Sequence, residues 1–502
     1  LILCGRKLMK RKLWWAGTVA AVLAVFGSAN VHAQTTVSAN NGDWSDPLNW
    51  SAGVPAADTW AAINTGHTLA VTPGAVAGLL DVGGTGNGNL TSAAGTDLTA
   101  VAFRVGQAAG AIGNITQTGG TISANSVFNS PFLEGDILIG DAGNGTWTIT
   151  DGTLTAQDEF LIGFINASEG TLNVEGGTVN AARVLTVGVL GNGKGTLNVS
   201  GGIVNANTDL LTSLFGGTTA AVDVSGGTIN VTRDWLSGVN AGSVATITQS
   251  GGTINVGQHF IQGTRGSSTY TQTGGAVNVT GVNSRMTVAE DHTSATYDLQ
   301  GGSFTSAHIF LGDFDESHGT LKVSGGSIDL RGNLSVGGAL ASNAPPAPTG
   351  TEGQALNADG TLIVSGPGGT INVAGNLLAN PGDNTRFGGG GEHNDSLLLF
   401  EVLSGGVSTI NVGGVAKLNG AVIDINLLSA APLGSVFDLI SATSISADFV
   451  QAAEDVGVFQ LSIFDGGNGQ TLRATVVPEP TSVAMFVMGI VGLWGSRRTR
   501  GC

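Results

Sequence analysis

Glu159, Val184, Asp209, Asp234, His259, Arg285, His308 and Asn333 occupy one recurring position, each directly ahead of a large apolar side chain. If successive repeats stack, these side chains line one face of the molecule. Asp209 over Asp234 then sets two carboxylates about 5 Å apart, a separation that binds a cation or raises one pKa. By the same geometry Asp234 over His259 is an acid–base pair. The position also immediately precedes a strand, where a solvent-facing polar residue of any kind is acceptable. The column mixes acid, base, amide and a valine, and no partner motif lies near it. The expectation is therefore a structural column with no catalytic residue, in which Asp209, Asp234 and His259 are the candidate ligand positions.

A second candidate is the loop Gly312-Asp313-Phe314-Asp315-Glu316-Ser317-His318. Asp313, Asp315 and Glu316 could hold Ca²⁺, which takes six to eight oxygens. The spacing is not that of an EF-hand, and the Gly-Gly-x-Gly-x-Asp nonapeptide of calcium-binding β-rolls is missing. A solvated acidic turn, with no metal and no other cofactor, is the expectation. No Ser-His-Asp, Cys-His, phosphate-loop or zinc pattern stands out elsewhere.

The elements that position these residues come from a repeat. Gly-Gly pairs at Gly176-Gly177, Gly201-Gly202, Gly226-Gly227 and Gly251-Gly252 recur every 25 residues, each followed by a short apolar strand. The series runs on with small slips through Gly274-Gly275, Gly301-Gly302 and Gly325-Gly326 to Gly368-Gly369, and Gly119-Gly120 and Asp151-Gly152 precede it. Each unit holds three strand-like pieces, such as Val184–Val187, Gly195–Val199 and Ile203–Ala206. Pieces this short cannot bury a core of their own, so a fixed period in this range means stacked coils. The fold expected is all-β, a right-handed parallel β-helix of about ten coils, and at about 4.8 Å per coil it is a rod roughly 50 Å long.

The columns agree. Phe160, Leu185, Leu210, Trp235, Phe260, Met286, Ile309 and Leu334 form one apolar column, and Val179, Val204, Ile229, Ile254, Val277, Phe304, Ile328 and Ile371 another. Beside the second run Asn180, Asn205, Asn230, Asn255, Asn278 and Asn372, positioned for a hydrogen-bonded amide ladder. Residues 34–100 are expected to form an N-terminal cap, with Trp44, Trp50 and Trp60 plugging the open end. The solenoid takes 101–375, and a less regular C-terminal β region takes 376–477. Between Gly338 and Gly360 a proline-bearing insertion is expected to project as a loop, where repeat proteins carry specificity.

Composition narrows the functions. The chain has 82 glycines in 502 residues, more than twice the usual ~7%, without a collagen triplet. That suits many short strands joined by tight turns. Five basic residues lie in the first 12 positions and three in the last six, which leaves 19 − 8 = 11 against about 35 acidic ones. So acidic a chain argues against nucleic acid as a partner. Cys4 and Cys502 both sit in terminal segments expected to be discarded, so no disulfide staples the body.

Both termini read as export signals. Met9-Lys10-Arg11-Lys12, the apolar run Leu13 to Phe26 and Val31-His32-Ala33 form a leader, residues 1–33, expected to be cut after Ala33. At the other end, Val477-Pro478-Glu479-Pro480 leads into an apolar run to Trp494, then Arg497, Arg498 and Arg500. The run is near the lower limit of a membrane span, about 17–25 residues, and flanking arginines favour the cytoplasmic side. Pro-Glu-Pro, apolar helix and basic tail over 478–502 resemble the PEP-CTERM sorting signal. The resemblance implies an exosortase-type processing enzyme as partner, with Pro478, Glu479 and Pro480 as the recognised motif.

Independently, the pieces Leu-x-Val-Gly, Gly-Thr-Leu-Asn-Val and Ser-Gly-Gly resemble the repeat shared by type V autotransporter passengers and PEP-CTERM proteins. This second resemblance spans roughly 101–373 and carries no catalytic residues. Together they imply an exported structural or adhesin-like protein of the cell surface or extracellular matrix. It would be held transiently in the membrane by its C-terminal helix, with extracellular polysaccharide or other matrix proteins as partners. The alternative is a β-helical polysaccharide lyase or hydrolase using the polar column.

Overall fold

A computed structural model describes residues 35–125, 134–313, 316–337, 358–379, 396–418, 420–446, 448–452, 458–467 and 469–477. The leader, with Ala33, and the sorting segment, with Pro478, Glu479, Pro480, Arg497 and Arg498, lie outside these residues. So do Asp315 and most of the 338–360 insertion. Among the described residues no helix is long and apolar enough to cross a membrane.

The strands are short because glycine turns end them, and parallel because each coil returns to the same face. Leu185–Val187, Lys194–Val199 and Ile203–Ala206 make one coil. Each pairs in parallel with its counterpart in the next: Leu185 with Leu210, Leu197 with Val222, Val204 with Ile229. Repetition of this pairing builds three parallel ladders and a β-solenoid of about fifteen turns. Alternate side chains of Lys194–Val199 are buried, as strand pleating requires. The interior is therefore columns of like residues. The eight from Phe160 to Leu334 in the first apolar column are all inaccessible to solvent, each worth on the order of 1.5–3 kcal/mol in buried apolar surface. Aromatic residues on adjacent coils stack directly, with Trp235 and Phe260 rings 4.9 Å apart and Tyr270 and Tyr297 rings 4.8 Å apart.

About ten coils was an undercount. Parallel pairing begins with Thr35–Val37 against Trp60–Ile63 and runs to Val422–Leu427 against Val450–Gln451. The outer coils were hidden because their loops vary in length: Ala61 pairs with Leu80, but Leu334 pairs with Leu377. Register follows strand alternation, and longer loops cost little, so the ladder persists where the 25-residue period fades.

The ends are closed locally. Trp44 and Trp50 are buried and pack edge to face at 4.9 Å, and Trp50 Nε1 donates to the Trp44 carbonyl at 2.8 Å. The chain around them crosses the first strand, with an antiparallel bridge from Ser38 to Trp50 and the Ser51 N–H on the Val37 carbonyl. Trp60 does not join this plug. It lies half-buried on the outside, its Nε1 on Asp81 Oδ2 at 2.7 Å and the Arg104 guanidinium over its ring. At the other end Gln470–Val476 pairs antiparallel with both Val436–Ala442 and Phe459–Asp465. Both devices cover edges that would otherwise recruit another strand.

Ile229→Ala removes a fully buried side chain from one interior column. We expect a loss of about 2–5 kcal/mol in urea unfolding followed by circular dichroism. Thr253→Ala, a half-buried position on the adjacent coil's outer face, should change stability by less than about 0.5 kcal/mol.

Candidate functional site

The polar column lies at the corner where each coil enters its first ladder strand. Here the backbone carbonyl is already committed: Asp209 O accepts from Leu185 N at 3.1 Å and Asp234 O from Leu210 N at 3.0 Å. Several backbone N–H groups at this corner find their acceptor in the side chain one coil earlier. Asp136 Oδ1 accepts from Glu159 N at 2.9 Å, Asp209 Oδ1 from Asp234 N at 3.3 Å, and Asp234 Oδ1 from His259 N at 3.1 Å. Further along, His308 Nδ1 accepts from Asn333 N at 3.0 Å, and Asn333 and Asn376 Oδ1 each accept from the next coil at 2.9 Å. Any short acceptor does this work, which is why acid, amide and imidazole interchange in the column.

Asp209, Asp234 and His259 do come together on successive coils, as the sequence suggested. Arg233 clamps Asp209 bidentately with Nε and Nη2, and its Nε lies 3.6 Å from Asp234 Oδ2. Burial, then the Asp209 charge, pushes the Asp234 carboxyl up to about 6. Burial and the Arg285 charge push His259 down to about 4. At neutral pH the pair is thus carboxylate and neutral imidazole. Asp234 meets the His259 backbone, while His259 Nδ1 is buried without a hydrogen-bond partner among the described residues.

Of the acidic loop's three carboxylates, Asp313 and Glu316 are described. Asp313 is buried and turned to Arg285 Nη1 at 3.1 Å, and burial raises its pKa while Arg285 opposes the rise. Arg285 also lies 3.5 Å from Glu290. Glu316 is exposed and lies 4.0 Å from His292 Nε2. Among the described residues no group of three His, Cys, Asp or Glu could hold a metal ion. Asp313 therefore acts as the partner of a column residue, a role that its position in a loop did not reveal.

The amide ladder is present. Asn205 donates to Asn180 at 2.8 Å, Asn230 to Asn205 and Asn255 to Asn230 at 2.9 Å, and Asn278 to Asn255 at 3.0 Å. Thr305 donates to Asn278 at 3.1 Å and Asp329 follows it in register, then Asn372 donates to Asp329 at 2.7 Å and Asn411 to Asn372 at 3.1 Å. Sequence reasoning missed three things. Asn198 donates to Asn173 at 2.8 Å in a second amide stack on another face. The buried Tyr270 hydroxyl donates to Gln249 at 2.6 Å in the interior, and Tyr297 does the same to Gln272. A groove of about 730 Å³ lies beside the far end of the first amide ladder, lined by Thr305, Asp329, Arg331, Asn372, Asn411 and Ser441 among others. The Asn of each Gly-Thr-Leu-Asn-Val was a visible signal for the second stack; the groove had none.

No protein family, no curated protein and no solved structure matches this chain.

The Asp234 shift has a definite sign. Its folded pKa, about 6, exceeds the unfolded value near 3.9, so the folded state binds the proton more tightly. This group therefore adds stability as pH falls from above 6 toward 4 and loses it as pH rises through 6. His259 acts oppositely, losing stability as pH falls from about 6.5 to about 4, so the Asp234 effect must be read by difference. Asp234→Asn keeps an acceptor for the His259 N–H. We expect it to be more stable than the parent at pH 8, by on the order of 1–2 kcal/mol, with the gap closing near pH 4.5 in thermal melts. Asp234→Ala should instead cost about 1 kcal/mol relative to Asp234→Asn at either pH. A gap that does not change with pH would contradict the assignment.

Proposed function

We propose that this protein is an exported, non-catalytic structural rod of the cell surface or extracellular matrix. On this reading it winds right-handed, is sorted by an exosortase-type enzyme that reads Pro478, Glu479 and Pro480, and works by adhesion or scaffolding within extracellular polysaccharide. The observation that carries it is the use made of the polar column. Side chains that a β-helical lyase or hydrolase would need free are instead acceptors for the backbone of the next coil, and Asp209 is occupied by Arg233. The ladders run through about fifteen turns, which gives length and stiffness. The leader and the Pro-Glu-Pro tail supply the destination by resemblance. The carbohydrate-active enzyme remains the competing reading, and the raised Asp234 carboxyl beside His259 is the feature that would serve it.

Fractionation of producing cells separates these readings. We expect the full chain in the surface or matrix fraction, with an intact mass ending near Pro478. A chain truncated before Pro478 should instead appear in the medium. Purified protein incubated with acidic and neutral polysaccharides should release no new reducing ends and no unsaturated products. Turnover abolished by Asp234→Ala would replace the rod with the enzyme.

A further inference from the structure

We propose that the groove at the far end of the amide ladder binds an extended, polyhydroxylated glycan chain lying along the solenoid axis. The inference rests on the reading of the protein as a polysaccharide-associated rod and assigns that association to a site. Thr305, Asp329, Asn372, Asn411 and Ser441 are register partners on five successive coils. At about 4.8 Å per coil they span roughly 19 Å along the axis. Buried Leu330, Val373 and Val412 underlie them.

The other side of the groove is the turn through Arg331, Ala374 and Gly413, and the residue after each of these is a glycine. The turn position filled by Arg183, Thr208, Arg233 and Gln258 in the middle coils is Gly332, Gly375 and Gly414 here, as their chain of backbone hydrogen bonds shows. These glycines are required: a Cβ on Gly375 would stand 2.4 Å from Asn333 Oδ1, and one on Gly414 2.4 Å from Asn376 Oδ1. The corner amides thus lie where turn side chains would otherwise rise, and the groove opens beside Ala374 and Gly413. Arg331 stands at one end, its Nη2 fixed on the carbonyls of Val279 and Gly281 at 3.1 Å.

The chemistry selects the ligand. An Asn side chain offers two N–H donors and two acceptor lone pairs. Among the described residues, Asn372 uses one donor on Asp329 and one lone pair for Asn411. One donor and one acceptor per amide rung remain for a ligand. Hydroxyl groups both donate and accept, so sugar units can meet the two amides as well as the Thr305, Asp329 and Ser441 rungs beside them. Asp329 beside the amides disfavours a polyanion.

Calorimetry with neutral β-linked oligosaccharides, from disaccharide to octasaccharide, tests this on the full chain. Affinity should rise with length and level off near four sugar units. Ala374→Trp, at an exposed wall position, and Asn411→Ala should each weaken binding by about tenfold or more. Asn205→Ala breaks the same ladder far from the groove and should leave binding unchanged. If Ala374→Trp fails to fold, Asn411→Ala against Asn205→Ala carries the comparison. Absence of binding, equal binding by all variants, or preference for uronate oligomers or peptides overturns the site. Matrix retention of the full chain despite any of these results would leave the rod reading standing, whereas loss of retention would not bear on oligosaccharide affinity.

Discussion

Parallel backbone hydrogen bonding between equivalent positions of successive coils is the constraint on which everything else depends. Each coil is too small to bury its own apolar face or to pair its own amides. It does both only when Leu185 lies beside Leu210 and Val204 beside Ile229. A slip of one residue would turn the interior set outward. The columns of apolar side chains inside and of amides outside are two consequences of one register, and each reinforces it.

The same constraint explains the backbone contacts that the polar column's side chains make. At the coil corners the backbone leaves N–H groups without a carbonyl, and a buried unpaired donor costs about 1–3 kcal/mol. Asp, Asn or His one coil earlier supplies the acceptor. A side chain so engaged is held in place and partly desolvated, and that desolvation lifts Asp234 and lowers His259. Desolvation by packing is the largest cause of both shifts, and structural networks perturb pKa values as active sites do. The external faces of the strands are freer, and there regular spacing presents repeated amides to solvent.

Much of this was legible in the residues. The 25-residue period, the two apolar columns and the Asn180–Asn278 ladder follow from alternation and spacing alone. The coil count did not, because Ala61–Leu80 and Leu334–Leu377 keep register with loops of unequal length, and periodicity sees loop length before it sees pairing. Trp44 and Trp50 were placed correctly as an end plug, while Trp60 faces outward beneath Arg104. Stacking of Asp209, Asp234 and His259 was legible; Arg233 between the two carboxylates was not, since its reach depends on a side-chain conformation. Asp313 read as a loop acid because nothing local signals that Arg285, on another strand, draws it inward.

Spin labels at outward-facing Thr171, Thr269 and Thr361 test the stacked register most directly. Thr171 reaches Thr269 through four rungs and Thr361 through seven, the last of which crosses the long insertion. Distances by double electron–electron resonance should centre near 19 Å and 34 Å, about 4.8 Å for each coil. Two similar distances, or a second one displaced from the seven-rung value by the length of the insertion, would contradict a continuous solenoid.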